Sequence, residues 1–429
     1  MKILCLSNGH GEDTIAVQIL KQLQSLPQAP ELAALPLVGE GHAYAQLDIP
    51  IIAPVQSMPS GGFIYMDGRQ LGRDLRGGLV QLTWAQYQAV RKWCNSSRQS
   101  GKKATILAVG DIVPLLFAWL SGGDYAFVGT AKSEYYLRDE AGWLPQTSKI
   151  ERWLGSVYLP WERWLMSRGR CKAVFPRDSL TTEVLQQWSI PAFDLGNPMM
   201  DDLETEEDRI FWAPGKDVDA KEEKRLLTIT LLPGSRAPEA YHNWQQILLA
   251  IRGVRKSFRR RSLLFLAAIA PALGLESFEE SLTAQGWNLV SSEHISIPFT
   301  DEQAIILSQE NATVVLTQNS YRECLQSGDF AIAMAGTATE QFVGLGKPAL
   351  SLPGKGPQFT PRFAEAQSRL LGASVTVVKQ PESIATEIHL LLRDPDRLQL
   401  IQNNGRRRLG KSGAAARIAA CLQEKFSRD

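Results

Sequence analysis

Apolar positions in the first part of the chain alternate between short continuous runs and helical spacing. Residues 3–6 form an apolar run before a loop at Asn8, and the next segment has apolar residues at a spacing of three or four, at Ile15, Ile19, Leu20 and Leu23. Further runs at 106–109 and 126–128 show no polar alternation, which is typical of strands buried on both faces of a parallel sheet. The pattern predicts an α/β fold.

The same pattern starts again after an acidic stretch that contains Pro214 and Gly215. Because the chain is too long for a single core, we predict two doubly wound, Rossmann-like domains that face each other across a cleft. The six apolar runs of the second part lie at 226–232, 263–269, 314–316, 330–334, 349–352 and 375–378. The predicted parts are an N-terminal domain at 1–200, a linker at 201–224, a C-terminal domain at 225–405 and a helix at 406–429 that crosses back.

Composition excludes several classes of protein. Lys and Arg number 46 against 45 Asp and Glu, so there is no global charge excess to hold a nucleic acid. The five cysteines are scattered without a CxxC pair, which argues against a disulfide framework and a zinc site. The first apolar run is too short for a signal-peptide core. The two longest apolar stretches, 104–120 and 263–275, contain Asp111 and Pro271, so neither fits a membrane-spanning helix. We predict a cytoplasmic protein with no metal and no cofactor.

The first candidate binding turn follows the run at 226–232. Gly234 permits a tight turn, Ser235 supplies a hydroxyl or amide donor, and Arg236 supplies a permanent cation before Pro238 begins a helix. Free N–H groups and the positive end of a helix dipole meet at such a turn, where a diphosphate can bind. The alternative is an ordinary strand-to-helix turn with Arg236 paired to a surface carboxylate.

The second candidate turn follows the run at 330–334. Its small residues Gly336, Thr337 and Ala338 allow close approach of a phosphate to the backbone N–H groups. Glu340, in the first helical turn, can accept hydrogen bonds from the vicinal hydroxyls of a ribose. The alternative is that Glu340 only complements the helix dipole.

Together the two turns resemble a known family. The strings LLPGSR and AGTATEQ look like the donor-binding motifs of lipid-A-disaccharide synthase, a GT-B glycosyltransferase. The string PGKGPQFTPRFAEAQSRLLG at 353–372 looks characteristic of a related family found in oxygenic phototrophs. The resemblance covers most of the C-terminal half. It implies a UDP-sugar held by the C-terminal domain, with Gln358 among its contacts, and an acceptor held by the N-terminal domain, without an essential metal.

In the N-terminal half, NGHGED follows the first strand, at a position that faces the cleft of a doubly wound sheet. We predict substrate contacts from Gly9 and Gly11 and catalytic roles for His10 and Asp13. His10 is a candidate because the pKa of histidine lies near neutrality. The alternative is that the glycines only shape a turn and Asp13 caps a helix.

Asp111 is the preferred candidate for the catalytic base. It follows the buried run at 106–110, so its carboxylate is expected at the carboxyl edge of the sheet. The resembled synthase carries its proposed catalytic aspartate in a Gly-Ile-Asp-Ala-Pro-Asp segment, which Gly110, Asp111 and Pro114 match in part. Asp111 would deprotonate an acceptor hydroxyl as it attacks the anomeric carbon, with inversion. A helix cap is the alternative.

Two further segments concern the acceptor. The Gly-rich segment 57–78, with Arg69, Arg73 and Arg76, predicts a mobile loop that meets a phosphate on the acceptor or at a membrane surface. The segment 149–172 interleaves tryptophans with basic residues, a composition that suits the headgroup region of a bilayer. The alternatives are a solvated loop and core packing of the tryptophans.

The sequence therefore predicts an inverting, metal-independent hexosyltransferase that moves a hexosyl group, such as N-acylated glucosamine, from UDP to a lipid-linked or other amphipathic acceptor. The predicted partners are the UDP-sugar, the acceptor, the cytoplasmic face of a membrane and a second copy of the chain in a homodimer, but not nucleic acid. Two alternatives stay open: an enzyme like UDP-GlcNAc 2-epimerase, and a non-catalytic protein that binds nucleotide sugars. A nicotinamide dehydrogenase is disfavoured because NGHGED replaces the GxGxxG fingerprint.

Overall fold

The computed structural model describes residues 1–55, 79–99, 101, 103–203, 226–291, 298, 301–356 and 359–427. The chain divides into two compact units, Met1–Asp201 with Gly410–Asp429 (unit 1) and Asp202–Leu409 (unit 2). The predicted acceptor loop at 57–78, Gln358 and most of the predicted linker lie outside the described residues.

Unit 1 is built on a five-stranded parallel sheet with the strand order β2-β1-β3-β4-β7. The chain runs from β1 to β2 on one side and then crosses to β3 on the other, so the switch point of the sheet lies between the carboxyl ends of β1 and β3. The strands, with a short β5-β6 hairpin, are β1 (Lys2–Ser7), β2 (Glu31–Pro36), β3 (Ala104–Gly110), β4 (Asp124–Gly129), β5 (Arg138–Asp139), β6 (Gly142–Trp143) and β7 (Cys171–Phe175).

Helices connect these strands. The described helices before the second unit are α1 (His10–Gln24), α2 (His42–Ala45), α3 (Leu79–Gln99), α4 (Ile112–Leu120), α5 (Lys149–Leu154), α6 (Pro160–Met166) and α7 (Ser179–Gln186). α1 begins at His10, with only Asn8 and Gly9 between it and the end of β1, so most of the segment predicted as a loop is already the first helical turn.

Unit 2 contains an eight-stranded sheet in the order β10-β11-β12-β9-β8-β13-β14-β15. β11 is antiparallel to both of its neighbours, and the other pairs are parallel. The strands are β8 (Leu227–Leu232), β9 (Leu263–Ala268), β10 (Asn288–Leu289), β11 (Ile305–Gln309), β12 (Ala312–Thr317), β13 (Phe330–Ala333), β14 (Ala349–Ser351) and β15 (Val375–Val377). The switch point of this sheet lies between β8 and β13.

Helices alternate with most of the strands of unit 2 along the chain. They are α8 (Glu239–Ser257), α9 (Glu276–Thr283), α10 (Tyr321–Ser327), α11 (Thr337–Gly344), α12 (Pro361–Leu371), α13 (Ile384–Leu392) and α14 (Pro395–Leu409). α14 lies directly against α11: a side chain on Gly405 would overlap the carbonyl oxygen of Val343. α14 therefore fixes the position of the helix that carries Glu340.

The last helix, α15 (Ala414–Ser427), belongs to unit 1. Its side chains Ile418, Leu422 and Phe426 are buried in one apolar cluster with Ile3 of β1. The two carboxylate oxygens of Asp201 accept hydrogen bonds from the N–H groups of Ala414 and Ala415, at 2.8 and 2.7 Å. No helix in the described part of the chain is long and apolar enough to cross a membrane.

Candidate functional site

In unit 2 the two predicted binding turns meet at the switch point. The side-chain amide of Asn243, on α8, donates hydrogen bonds to the carbonyl oxygens of Pro233 (3.0 Å) and Met334 (3.5 Å), so it joins the turn after β8 to the turn after β13. Gly234 has φ +101°, and a side chain there would stand 3.3 Å from the Met334 carbonyl. The turns thus form one continuous edge of the sheet.

The second turn presents backbone N–H groups. α11 begins at Thr337, and the first N–H groups of a helix have no acceptor within the helix. The carbonyl oxygens of this turn are already engaged, because the Gln367 amide donates to Ala335 (3.2 Å) and to Gly336 (3.1 Å). The turn can therefore bind an anion through the N–H groups of Gly336, Thr337 and Ala338.

The polar and charged side chains of the two turns are at least partly exposed at the surface of unit 2. Ser235 is exposed, whereas Arg236 and Glu340 are half-buried. Arg236 belongs to the turn after β8, and Glu340 lies in the first turn of α11, so each is carried by one of the two adjoining turns. A cation for a phosphate and an acceptor for a hydroxyl are thus present on one unit.

The N-terminus of α8 differs from the prediction. The helix begins at Glu239 instead of Pro238, and the Glu239 carboxylate, which is 6% exposed, accepts a hydrogen bond from the Phe359 N–H at 2.6 Å. A carboxylate at this end already interacts with the helix dipole. The two helix ends therefore differ: α8 has a buried carboxylate at its first residue, whereas the carboxylate of α11, on Glu340, lies three residues after the start of the helix.

In unit 1 the switch point joins the ends of β1 and β3. The Asn8 amide donates to Oδ2 of Asp111 at 2.8 Å, across 103 residues of sequence. Oδ1 of Asp111 accepts from the Val113 N–H at 2.8 Å, which makes Asp111 the N-cap of α4. The carboxylate is 7% exposed and lies at the predicted edge, with a protein donor on each of its two oxygens.

Asp13 lies deeper. It is 3% exposed, and its Oδ1 accepts a hydrogen bond from the Ser7 hydroxyl at 2.5 Å, while that hydroxyl accepts from Tyr44 at 2.5 Å. This arrangement ties α1 to the end of β1. Gly9 adopts φ +131°, and Gly11 is exposed with open space around it. The side chain of His10 lies outside the described part of the structure.

Glu12 joins this edge, although the sequence argument gave it no role of its own. Its Oε1 accepts a hydrogen bond from the Thr130 hydroxyl at 3.4 Å, after β4, and its side chain lies beside Gly110. Burial raises the pKa of Glu12 to about 7, and the negative charge of Asp111 adds to the shift. Burial also raises the pKa of Asp111, and the hydrogen bond from the Val113 N–H offsets part of this increase. The edge holds two carboxyl groups with raised pKa values.

The segment 149–172 forms α5, α6 and β7, with several large side chains exposed. Trp153 is 83% exposed, Ile150 70% and Trp161 58%. Trp164 packs edge-on against Trp119 of α4 (5.3 Å between ring centroids), and the Arg168 guanidinium lies 4.4 Å from the Trp164 ring centroid. We call Ile150, Trp153, Trp161 and Trp164 the indole face.

The described residues contain no group of three or more His, Cys, Asp and Glu side chains that could hold a metal ion. A scan of protein-family models and a search of curated proteins give no match to the sequence.

Solved structures, in contrast, match over the whole chain. MurG from Acinetobacter baumannii is 14% identical, with 99% of each chain covered and a TM-score of 0.55. UDP-GlcNAc 2-epimerase from Neisseria meningitidis, bound to UDP-GlcNAc, is 14% identical, with 99% of this chain and 100% of that chain covered and a TM-score of 0.52. The corresponding enzyme from Methanocaldococcus jannaschii is 14% identical, with the same coverage and a TM-score of 0.51. At these identities the likeness establishes the fold: the chain has the GT-B type of α/β fold with two Rossmann-like units, which confirms the predicted fold class.

Proposed function

We propose that this protein is an inverting, metal-independent hexosyltransferase that takes a hexosyl group, such as N-acylated glucosamine, from UDP and gives it to a lipid-linked or other amphipathic acceptor. The observation that carries the proposal is the junction of the two turns of unit 2, which Asn243 holds together. Similar solved structures include proteins whose names refer to UDP-GlcNAc. The same turns look like the donor motifs of lipid-A-disaccharide synthase.

The roles follow from the chemistry of the leaving group. As the bond to the anomeric carbon breaks, negative charge develops on the UDP phosphates. Arg236, Ser235 and the N–H groups of Gly336, Thr337 and Ala338 stabilise that charge. Glu340 accepts hydrogen bonds from the ribose hydroxyls. Unit 1 supplies a base from the carboxyl groups at the switch point of its sheet.

Binding of UDP tests the donor site. UDP, UDP-GlcNAc and UDP-glucose are expected to raise the melting temperature by about 5–10 °C at a hundred times their dissociation constants, because such binding stabilises the native state by about 2.7 kcal/mol. NAD at the same concentration serves as the control and is expected to give no shift. A response to NAD but not to UDP compounds would contradict the donor site.

An enzyme like UDP-GlcNAc 2-epimerase is the second candidate. The pair of carboxyl groups at the β1–β3 edge favours it, since removal and return of a proton on one sugar need both an acid and a base. The two activities differ in their products. A transferase releases UDP from UDP-GlcNAc in proportion to an added acceptor such as octyl β-glucoside, whereas an epimerase converts UDP-GlcNAc without any acceptor. NMR of the sugar products separates them.

We also propose that the indole face docks on an anionic bilayer, where an amphipathic acceptor would reside. Charge complementarity selects this occupant: among the residues of 149–172 that are not buried, five are basic and one is acidic, and Arg168 lies over an indole of the face. Exposed indoles beside cations suit the boundary between headgroups and acyl chains.

Cosedimentation with vesicles tests this docking. We expect binding to vesicles of phosphatidylcholine with phosphatidylglycerol, weaker binding to phosphatidylcholine alone, and release by salt. The double variant Trp153→Ser, Trp161→Ser is expected to lower the partition coefficient more than about tenfold, because burying one large apolar side chain contributes about 1.5–3 kcal/mol. Leu400→Ser, at an exposed position of unit 2, is the control. Loss of a homodimer in the double variant, with vesicle binding unchanged, would instead assign the face to a second copy of the chain.

A further inference from the structure

Asp111 is largely committed to the protein. One of its oxygens caps α4 through Val113, and the other holds the amide of Asn8. The carboxylate is only 7% exposed. A general base needs an oxygen within hydrogen-bond reach of the substrate proton; each oxygen of Asp111 already accepts one protein donor, so a substrate hydroxyl would have to reach a remaining lone pair of a largely buried carboxylate.

Glu12 occupies the same edge in a more accessible position. It lies in the first turn of α1 and is half-buried. A side chain on Gly110 would stand 3.3 Å from Cγ of Glu12 and 3.1 Å from Cβ of Asn8, so these two side chains flank the residue that precedes Asp111. Its carboxylate accepts a long, weak hydrogen bond from the Thr130 hydroxyl at 3.4 Å and a hydrogen bond from its own backbone N–H.

Asn8 provides an independent indication of a ligand. Its side chain is 6% exposed, and its Oδ1 has no hydrogen-bond partner within the part of the chain that the structure describes. The hydrogen bond to Asp111 fixes the orientation of the amide, since only the NH2 group can face the carboxylate. A buried amide oxygen without a donor is costly, and a second hydroxyl of a bound acceptor, beside the reacting one, would supply the donor.

We propose that Glu12 is the catalytic residue that takes the proton from the acceptor hydroxyl, and that Asp111 is a positioning residue that orients Asn8 beside it. This inference rests on the proposed transferase function. In the step, the acceptor O–H bond breaks and its proton passes to a carboxylate oxygen of Glu12. The acceptor oxygen forms a bond to the anomeric carbon, and the bond from that carbon to UDP breaks, with the electron pair passing to the departing phosphate. Water later removes the proton from Glu12.

The charges around Glu12 support this role. Asp111, from the β3–α4 turn, and Asp13, on its own helix, both face it with negative charge, and burial is the largest influence. Lys132 and Glu162 form an ion pair at 2.5 Å; the charge of Lys132 lowers the pKa of Asp111, and the charge of Glu162 raises it. A carboxyl group with a pKa of about 7 is ionised in part at neutral pH and holds a proton well enough to serve as a base there.

Turnover of three variants tests the assignment, with UDP-GlcNAc as donor and octyl β-glucoside as acceptor. Glu12→Gln is expected to lower kcat by about 10²–10⁴-fold while UDP affinity, a property of unit 2, is unchanged. Asp111→Asn keeps the helix cap but places an NH2 group opposite the Asn8 amide, which must then turn over. We expect a higher KM for the acceptor, a smaller loss of kcat than in Glu12→Gln, and a rising limb of the pH profile of kcat/KM at lower pH, because a negative charge near Glu12 is removed. Glu31→Gln, at the opposite edge of the sheet, is the matched control. Wild-type turnover in Glu12→Gln, or loss of turnover only in Asp111→Asn, would overturn the assignment.

Thermal denaturation gives a readout that does not depend on the acceptor. Because folded Glu12 binds its proton more tightly than the unfolded chain does, its ionisation lowers stability progressively as pH rises from about 4.5 to about 7. Glu12→Gln should therefore melt at a higher temperature than the wild type above about pH 7, with the difference vanishing below about pH 4.5, and Glu31→Gln should show no such gain. Absence of the gain would overturn the inference about Glu12. Failure of the wild type to bind UDP would instead overturn the proposed function, and the inference with it.

Discussion

Arg236→Ala is expected to lower kcat/KM for a UDP-sugar by about 10²–10³-fold, the usual cost of removing one donor that stabilises charge in a transition state. Arg236 carries the permanent cation of the two joined turns, and α8 cannot compensate because the carboxylate of Glu239 lies at its N-terminus. Arg236→Lys keeps the charge but loses the planar fork of donors, so an intermediate loss is expected. Steady-state measurement of UDP release gives the result.

Arg252→Ala is the matched control for this prediction. Arg252 is exposed on α8 and lies away from both turns in sequence, so its removal changes the net charge of unit 2 by the same amount. We expect its kcat/KM to equal that of the wild type. Equal values for Arg236→Ala and Arg252→Ala would remove Arg236 from the donor site.

Gly405→Ala is expected to lower the free energy of unfolding by about 2 kcal/mol or more. The added methyl group would overlap the carbonyl oxygen of Val343, a backbone atom in α11 that cannot rotate away. Alanine is a better helix former than glycine by about 1 kcal/mol, which offsets only part of this repulsion. Because α11 carries Glu340 and the N–H groups of the second turn, UDP affinity should fall as well.

Chemical denaturation of Gly405→Ala beside Asn403→Ala measures the effect. Asn403 is exposed on the same helix, so its replacement by alanine changes helix propensity without introducing a contact. A Gly405→Ala variant as stable as Asn403→Ala would show that α14 can move away from α11 at little cost, and would contradict the tight packing of the two helices.

Long apolar runs made the fold predictable. β3 and β8 are buried along their whole length, and such strands occur mainly in parallel sheets covered on both faces. The antiparallel pair β11–β12 was not predicted, because its connection passes through Glu310 at φ +54°, and glutamate is not a residue that indicates such a turn. The start of α1 was misplaced because Gly9 and Gly11 suggested a loop, whereas Gly11 lies within the first helical turn.

For the candidate site, the sequence predicted which turns follow the strand ends but not the side-chain contacts between them. Because parallel strands end at one edge, the proximity of the turns after β8 and β13 could be inferred before the structure was known. The hydrogen bond between Asn8 and Asp111 could not be inferred, since it joins side chains 103 residues apart. The hydrogen bond from the Phe359 N–H to Glu239 could not be inferred either. It occupies the start of α8, one of the two helix ends expected to bind an anion.

The return of α15 to unit 1 has a consequence for synthesis of the protein. On the ribosome the first 201 residues emerge well before Ile418, Leu422 and Phe426, which complete an apolar cluster around β1. At about 5–20 residues per second, the intervening segment delays them by about 10–40 s. During that interval the nascent first unit exposes apolar surface around α1, and this surface stays open to chaperones until α15 emerges.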